Sequence, residues 1–242
     1  MDLANKISSV LSSLFSKKQN HLIMSNVSKV LSLEKSLKIL QKYKIHVPKS
    51  KFAKTLQYAI NYAKQIGYPV AIKVVSSSIT HKTDVGGVQL NIRNEMELKS
   101  AYQTLLKNAK MKAPKTKVDG VLVQKMIDGG LEIIIGCKSD EQFGHVIMFG
   151  LGGIFTEVFN DVAFRISPIN KQDAESMIRE IKGYKILQGY RGIKYDIASL
   201  TKILLNTSKL LEKNPRIKEI DINPVVVLSK DAIAVDSRIV FE

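Results

Sequence analysis

The chain has 242 residues, 45% of them hydrophobic, with 37 Lys and Arg against 22 Asp and Glu for a net charge of +15. This is enough apolar material for one large domain or two lobes sharing a site; a single cysteine, Cys137, excludes an intrachain disulfide framework and points to a reducing, cytoplasmic setting. No apolar run approaches a membrane span, and the lysines lie scattered on polar helix faces without interleaved aromatics, so neither a membrane nor a nucleic acid is the expected partner.

Residues 1–23 read as an N-terminal extension. Leu3, Ile7, Val10, Leu11, Leu14 and Phe15 recur at helical spacing up to Lys17-Lys18, giving an amphipathic helix or an upstream start with Met24 as the functional beginning. Serines break the apolar stretch and no small-residue cleavage site follows, which argues against a signal peptide. From Ser32 a capped helix carries Leu33, Leu37, Leu40 and Tyr43 on one face. A second begins near Thr55, with Ala59, Ile60 and Ala63 inward and Gly67 at its end.

Val70–Val75 then forms a β-branched run bounded by turn residues, the pattern of a core strand. Lys73 interrupts it, and a lysine there is costly unless its ammonium meets a partner. The Ser76–Gly87 loop is rich in hydroxyls, backbone donors and positive charge, which suits a polyphosphate. A solvated loop in a hairpin-like return is the plainer reading. Val88, Leu90 and Ile92 alternate as a half-buried strand, and Asn94 with Glu97 caps a helix carrying Met96, Leu98, Ala101, Leu105 and Leu106. Strands follow at Gly120–Met126, Glu132–Cys137 and His145–Phe149, with Asp128-Gly129-Gly130 as a turn. The last third supplies helices at Lys171–Lys182 and after Asp196, then strands at Ile217–Leu228 and Ala232–Asp236. Mixed helices and hairpin strands imply an α+β architecture of two lobes, 24–127 and 128–242.

The C-terminal hairpin holds the most informative geometry. A two-residue turn at Ser229-Lys230 sets Asn223 opposite Asp236, and opposed residues share a face. Period two adds Glu219 and Asp221 to that face, with Ile220 and Ile222 on the other. Three carboxylates and an amide oxygen are hard ligands of the kind Mg²⁺ takes beside substrate phosphates. A turn at Lys230-Asp231 would make the pair diagonal, and a solvated antiparallel edge would show the same residues. Pro224 weakens a central-strand assignment. His81 sits between Thr80 and Lys82; a lone loop histidine is usually polar surface, yet a neutral imidazole there could carry a phosphoryl group. Cys137 reads as core. No Walker P-loop, CxxC or HExxH is present.

These segments together resemble the beta subunit of ADP-forming acyl-CoA synthetases, whose fold is a two-lobed ATP-grasp with the nucleotide site between the lobes. The resemblance rests on YPVAIKV (68–74), THKTDVGGV (80–88), VLVQKMI (121–127), FGLGGIFTEVFNDVAFRISP (149–168), GYRG (189–192) and EIDINPV (219–225). It implies ATP or ADP and Mg²⁺ as cofactors. Lys73 would reach the nucleotide phosphates, with Thr80, His81 and Lys82 in the phosphate-side loop and His81 a second phosphate carrier. Gln124, Met126 and Ile127 would lie in the hinge that reads adenine, and Glu132 would contact the ribose or a nearby lysine. Asn223 and Asp236 resemble metal ligands, and Asp221 resembles the acidic neighbour of a phosphohistidine. Glu157, a catalytic candidate, and Arg165 sit in a family motif without an assigned role. The implied reaction interconverts acyl-CoA, ADP and phosphate with acid, CoA and ATP. It requires a CoA-binding alpha subunit, in an α2β2 assembly, that handles the acyl-CoA, acid and phosphate. A stand-alone ATP-grasp carboxylate ligase and a nucleotide-sensing module are the alternatives.

Overall fold

The computed structural model describes residues 29–76, 79, 82, 85–114, 117–153, 161–189 and 192–242. The 1–23 extension, Thr80, His81 and Glu157 lie outside them. In chain order the elements begin with β1 (Lys29–Val30), α1 (Leu33–Lys42), β2 (Ser50–Ala53), α2 (Leu56–Ile66), β3 (Val70–Val75), β4 (Val88–Ile92), α3 (Glu95–Lys112) and β5 (Gly120–Lys125). They continue with β6 (Leu131–Asp140), β7 (Gly144–Leu151), β8 (Val162–Ile166), α4 (Lys171–Glu180), α5 (Tyr184–Gly189), α6 (Ile197–Lys213), β9 (Ile217–Val227), β10 (Ala232–Ala234) and β11 (Arg238–Phe241).

The chain divides into two compact units, 31–38 with 47–128 and 29–30 with 39–46 and 129–242, so the division runs through α1. The smaller holds a four-stranded antiparallel sheet in the order β2-β5-β3-β4. Thr55 caps α2 by accepting the Tyr58 amide, and Gly67 ends it at φ +86°, a left-handed backbone that glycine adopts without a Cβ penalty. Asn94 accepts the Glu97 amide at the start of α3 (2.9 Å). Both helices drop small and branched side chains, among them Ala59, Ile60, Ala63, Leu98 and Leu105, into one core with Val70, Ile72, Val74, Val121 and Val123. Ile79, from the loop after β3, belongs to the same core.

Two sequence expectations fail in this unit for visible reasons. Strand β4 pairs Val70 with Ile92 but Ile72 with Gln89, a bulge at which Asn91 takes φ +56°. The bulge breaks the alternation, so Leu90 is 57% exposed instead of inward. Met96, in the first turn of α3, is 77% exposed; the buried stripe of that helix starts at Leu98.

The larger unit is built on a seven-stranded antiparallel sheet, β1-β11-β9-β6-β7-β8, with β10 also paired to β9. One face presents Ile133, Ile135, Cys137, Ile147, Phe149, Ile220 and Ile222, all buried. Helix α4 packs against β7 and β8, and α6 against α4 and β10. Burial, with the charge of Asp221 second, pushes the Cys137 thiol well above its ordinary range, as befits a core cysteine. Arg165 is a structural tie: its guanidinium donates to the Phe164 carbonyl, Ser176 and Glu180 at 2.7–2.8 Å, fastening β8 to α4. Among the described residues no helix is long and apolar enough to cross a membrane.

Candidate functional site

In the smaller unit the polar groups hang on β3 and β5. Lys73 is 3% exposed, opposite Leu122 of β5 and Val88 of β4. The chain following it is pinned at several points. The Ser76 hydroxyl donates to the Lys117 carbonyl (2.7 Å) and Ile79 is buried. The Gly87 amide donates to the Lys82 carbonyl at 2.7 Å, and its own carbonyl accepts from Val74 at 2.8 Å. A Cβ on Gly87 would lie 2.5 Å from Val74, so only glycine lets the returning chain lie this close to β3. These anchors bracket the stretch that carries Thr80 and His81.

Gln124 is 1% exposed in β5, between Ser50 and Ala71. The Lys125 ammonium donates to the carbonyls of Gly67 (2.8 Å) and Tyr68 (3.1 Å), holding the end of α2 against β5. Met126 and Ile127 are half-buried beyond the strand. The Met126 amide donates to the Pro69 carbonyl (3.2 Å), leaving its carbonyl and side chain as the parts it could offer a ligand.

In the larger unit Glu132 is exposed at the mouth of β6. Its carbonyl accepts the Gly152 amide (2.7 Å), and a Cβ at Gly152 would stand 3.0 Å from the Glu132 carbonyl carbon. Within the Gly150-Leu-Gly-Gly153 run, Gly152 therefore serves a close approach to Glu132, while Gly150 lies against Asp161 and Val162.

The β9–β10 hairpin has the register of a turn centred on Ser229-Lys230: Ala232 pairs with Val227, and the Leu228 amide donates to the Asp231 carbonyl. Continued, that register sets Asn223 opposite Asp236, and the Asn223 amide donates to the Asp236 carbonyl at 3.2 Å. Ile220 and Ile222 are buried, whereas Glu219 and Asp221 are half-buried and Asn223 is exposed. Contrary to the expectation drawn from Pro224, β9 is a central strand. The proline fits because pairing with β6 shifts between Ile133 and Ile135, and the Pro224 carbonyl accepts from Val235 on the other side.

The carboxylate face needs one correction. Arg238, opposite Asp221, donates to Glu219 at 2.7 Å, with both side chains about one-fifth exposed at 21% and 22%. Glu219 is thus half of an ion pair. The register that opposes Asn223 to Asp236 also opposes Asp221 to Arg238, so the sequence held the signal. Asn223 on β9 and Asp236 in the link between β10 and β11 are opposed residues with hard oxygens, and no group of three or more His, Cys, Asp or Glu among the described residues could hold a metal by itself. Two protein ligands suit Mg²⁺, which keeps waters and takes substrate phosphates, better than a cation needing a full protein cage.

Residues 23–241 match the ATP-grasp domain. The chain is 46% identical over 203 residues to subunit beta of an ADP-forming acetate–CoA ligase I from Pyrococcus furiosus, covering 84% of this chain and 88% of that one. The chain belongs to the ATP-grasp family, with the beta subunits of ADP-forming acetate–CoA ligases. A longer ADP-forming acetate–CoA ligase I from Archaeoglobus fulgidus is 47% identical over 205 residues, which cover 84% of this chain but only 30% of that protein. Among solved structures, the dinucleotide-forming acetyl-coenzyme A synthetase 1 of Ca. Korarchaeum cryptofilum, in complex with coenzyme A, Ca-AMPCP and HgCl+, superposes with a TM-score of 0.86 at 40% identity. That match covers 96% of this chain and 99% of the other. The ATP-grasp assignment agrees with the mixed helices and sheets of the two units.

Proposed function

We propose that this chain is the nucleotide-binding beta subunit of an ADP-forming acyl-CoA synthetase, a cytoplasmic acid–thiol ligase with acetyl-CoA as the first substrate to test. The observation that carries the reading is the hairpin register opposing Asn223 to Asp236, in a chain that spans 88% of a beta subunit at 46% identity. A CoA-binding alpha subunit in an α2β2 assembly would take acyl-CoA and phosphate and deliver a phosphorylated histidine.

The Lys73 ammonium offsets phosphate charge, and desolvation by its apolar strand strengthens that contact. The Gln124–Ile127 stretch faces adenine, and Glu132 the ribose. The Asp236 carboxylate and the Asn223 amide oxygen would hold Mg²⁺, and the chemistry the ion would supply there is charge neutralisation of the nucleotide phosphates. Asp221 accepts the N–H of the incoming phosphorylated imidazole and orients it. The neutral His81 imidazole, flanked by Thr80 and Lys82, takes the phosphoryl group. One P–N bond forms as the other breaks: the departing ring leaves as neutral imidazole with the N–H that Asp221 accepts, and the His81 ring, now phosphorylated, keeps its own N–H. A β-phosphate oxygen of ADP then takes the group from His81. Glu157 remains a catalytic candidate without a step.

The test is to mix the purified chain with candidate CoA-binding subunits and a panel of acyl-CoAs, ADP and phosphate. ATP should form only in the mixture. Turnover of ATP and a free acid by the chain alone would overturn the reading in favour of a stand-alone ligase. His81→Ala should keep nucleotide binding and lose ATP formation in the mixture; full activity would remove the carrier role alone.

A further inference from the structure

In the smaller unit the exit of β5 is clasped to the entry of β3 through consecutive backbone carbonyls. Gly67 and Tyr68 accept from the Lys125 ammonium at 2.8 and 3.1 Å, and Pro69 accepts the Met126 amide at 3.2 Å. The pairing of Val70 with Lys125 carries the clasp into the sheet, towards Lys73. The half-buried ammonium lies at the C-terminal end of α2, where the partial negative charge of the backbone favours a cation. Among the described residues no carboxylate pairs with Lys125, so its charge is directed at the backbone alone. Such charge-assisted bonds are stronger than neutral ones.

The clasp decides which backbone groups remain for a ligand. The Met126 N–H is occupied, whereas the Met126 carbonyl and the Ile127 N–H have no hydrogen-bond partner among the described residues. Both residues are half-buried. An acceptor followed by a donor complements the exocyclic amino group and the bare ring nitrogen beside it in adenine. The exocyclic oxygen and ring N–H of hypoxanthine or guanine run in the reverse order, setting acceptor against acceptor and donor against donor. Resting on the hinge reading above, we infer that Lys125 is a positioning residue for base recognition: by clasping Gly67 and Tyr68 it keeps the Met126 N–H on Pro69 and fixes the hinge as a reader of aminopurines over oxopurines. Without the ammonium the bend from Gly67 to Pro69 loses both side-chain bonds to the end of β5. The Met126 N–H is then released, and the order of donors and acceptors along the hinge is no longer set.

The test is titration calorimetry of ADP and of inosine diphosphate, which differs from ADP only at that edge of the base, into the purified full chain with Mg²⁺. Thermal melts confirm folding. The parent should prefer ADP by about tenfold or more, the order that one mispaired polar group costs. Lys125→Met keeps the apolar stem and removes the ammonium. It should weaken ADP by about tenfold and leave inosine diphosphate within about twofold, so that the preference disappears. Lys125→Arg keeps a charged donor and should retain most of the preference. Lys125→Gln, a milder change that keeps an N–H donor, should fall between them and carries the test if Lys125→Met does not fold. A folded Lys125→Met chain, or Lys125→Gln in its place, that keeps the parent's full preference overturns the inference, whether it binds both nucleotides as before or weakens both alike; Lys125 is then a structural tie. A parent that binds ADP and inosine diphosphate equally overturns the hinge reading itself.

Discussion

Strands β3 and β9 solve opposite problems. Every residue of β3 is buried, its pairing with β5 runs without a break, and its one charged group is Lys73. Strand β9 alternates buried isoleucines with half-buried carboxylates, carries a proline at a register shift, and gathers its polar groups by cross-strand opposition. A buried ammonium needs a rigid apolar frame that prevents it from escaping to water. A face proposed to hold a metal needs correct register, because a one-residue slip turns every ligand inward. The frame should therefore tolerate conservative apolar exchange while the charge does not, and the face should be sensitive to both partner and register.

The largest expected effect falls on β3. Lys73→Met keeps the side-chain volume and removes the charge, so the chain should fold while ATP formation with the alpha subunit drops by about 10²-fold or more. Full activity with an intact melt would show that the buried lysine serves the frame alone. Opposite β9, Asp236→Asn should raise the Mg²⁺ concentration needed for half-maximal ATP formation by about 10- to 100-fold. An unchanged requirement would remove the face from the chemistry. Between these regions in effect lies Gly152→Ala, whose Cβ would stand 3.0 Å from the Glu132 carbonyl carbon. It should cost about 1–3 kcal/mol, read as a fall in Tm of roughly 2–4 °C per kcal/mol.

The smallest effect belongs to the surface of the smaller unit. Hydrogen bonds from Lys64 on α2 and Lys99 on α3 hold the Glu95 carboxyl down to about 2, from an ordinary value of 4.5. A depressed folded value means that the stabilisation is complete above pH 4.5 and is lost as pH falls towards 2. The Tm difference between the parent and Glu95→Gln should therefore shrink over that interval. Because Glu95 is exposed, the difference should be modest and should weaken further with salt.

Much of the fold was legible because local signals agreed with tertiary packing. Thr55, Gly67, Asn94 and Asp196 stand at the helix ends where their capping chemistry puts them. The β9–β10 register followed from turn position alone, since Ser229-Lys230 fixes which residues face each other. What escaped depended on non-local events. Leu90 alternates correctly in the sequence, but the bulge marked by Asn91 rotates it outward. The edge strands β1, β2 and β8, and β11 between β1 and β9, are short and take their identity from their partners, which periodicity does not see. Arg238 becomes the counterion of Glu219 only through the cross-strand register that also opposes Asn223 to Asp236, a non-local pairing that the residues around Glu219 do not show.

The central claim is that Lys73 and the Asn223–Asp236 pair serve one Mg²⁺-dependent nucleotide. Titration calorimetry of ADP into the chain alone tests it most directly, with and without Mg²⁺, for the parent, Lys73→Met and Asp236→Asn. The prediction is one ADP bound per parent chain, tighter with Mg²⁺, with Lys73→Met weaker under both conditions and Asp236→Asn losing only the Mg²⁺ enhancement. Equal binding by all three chains, or a parent indifferent to Mg²⁺, would contradict the account.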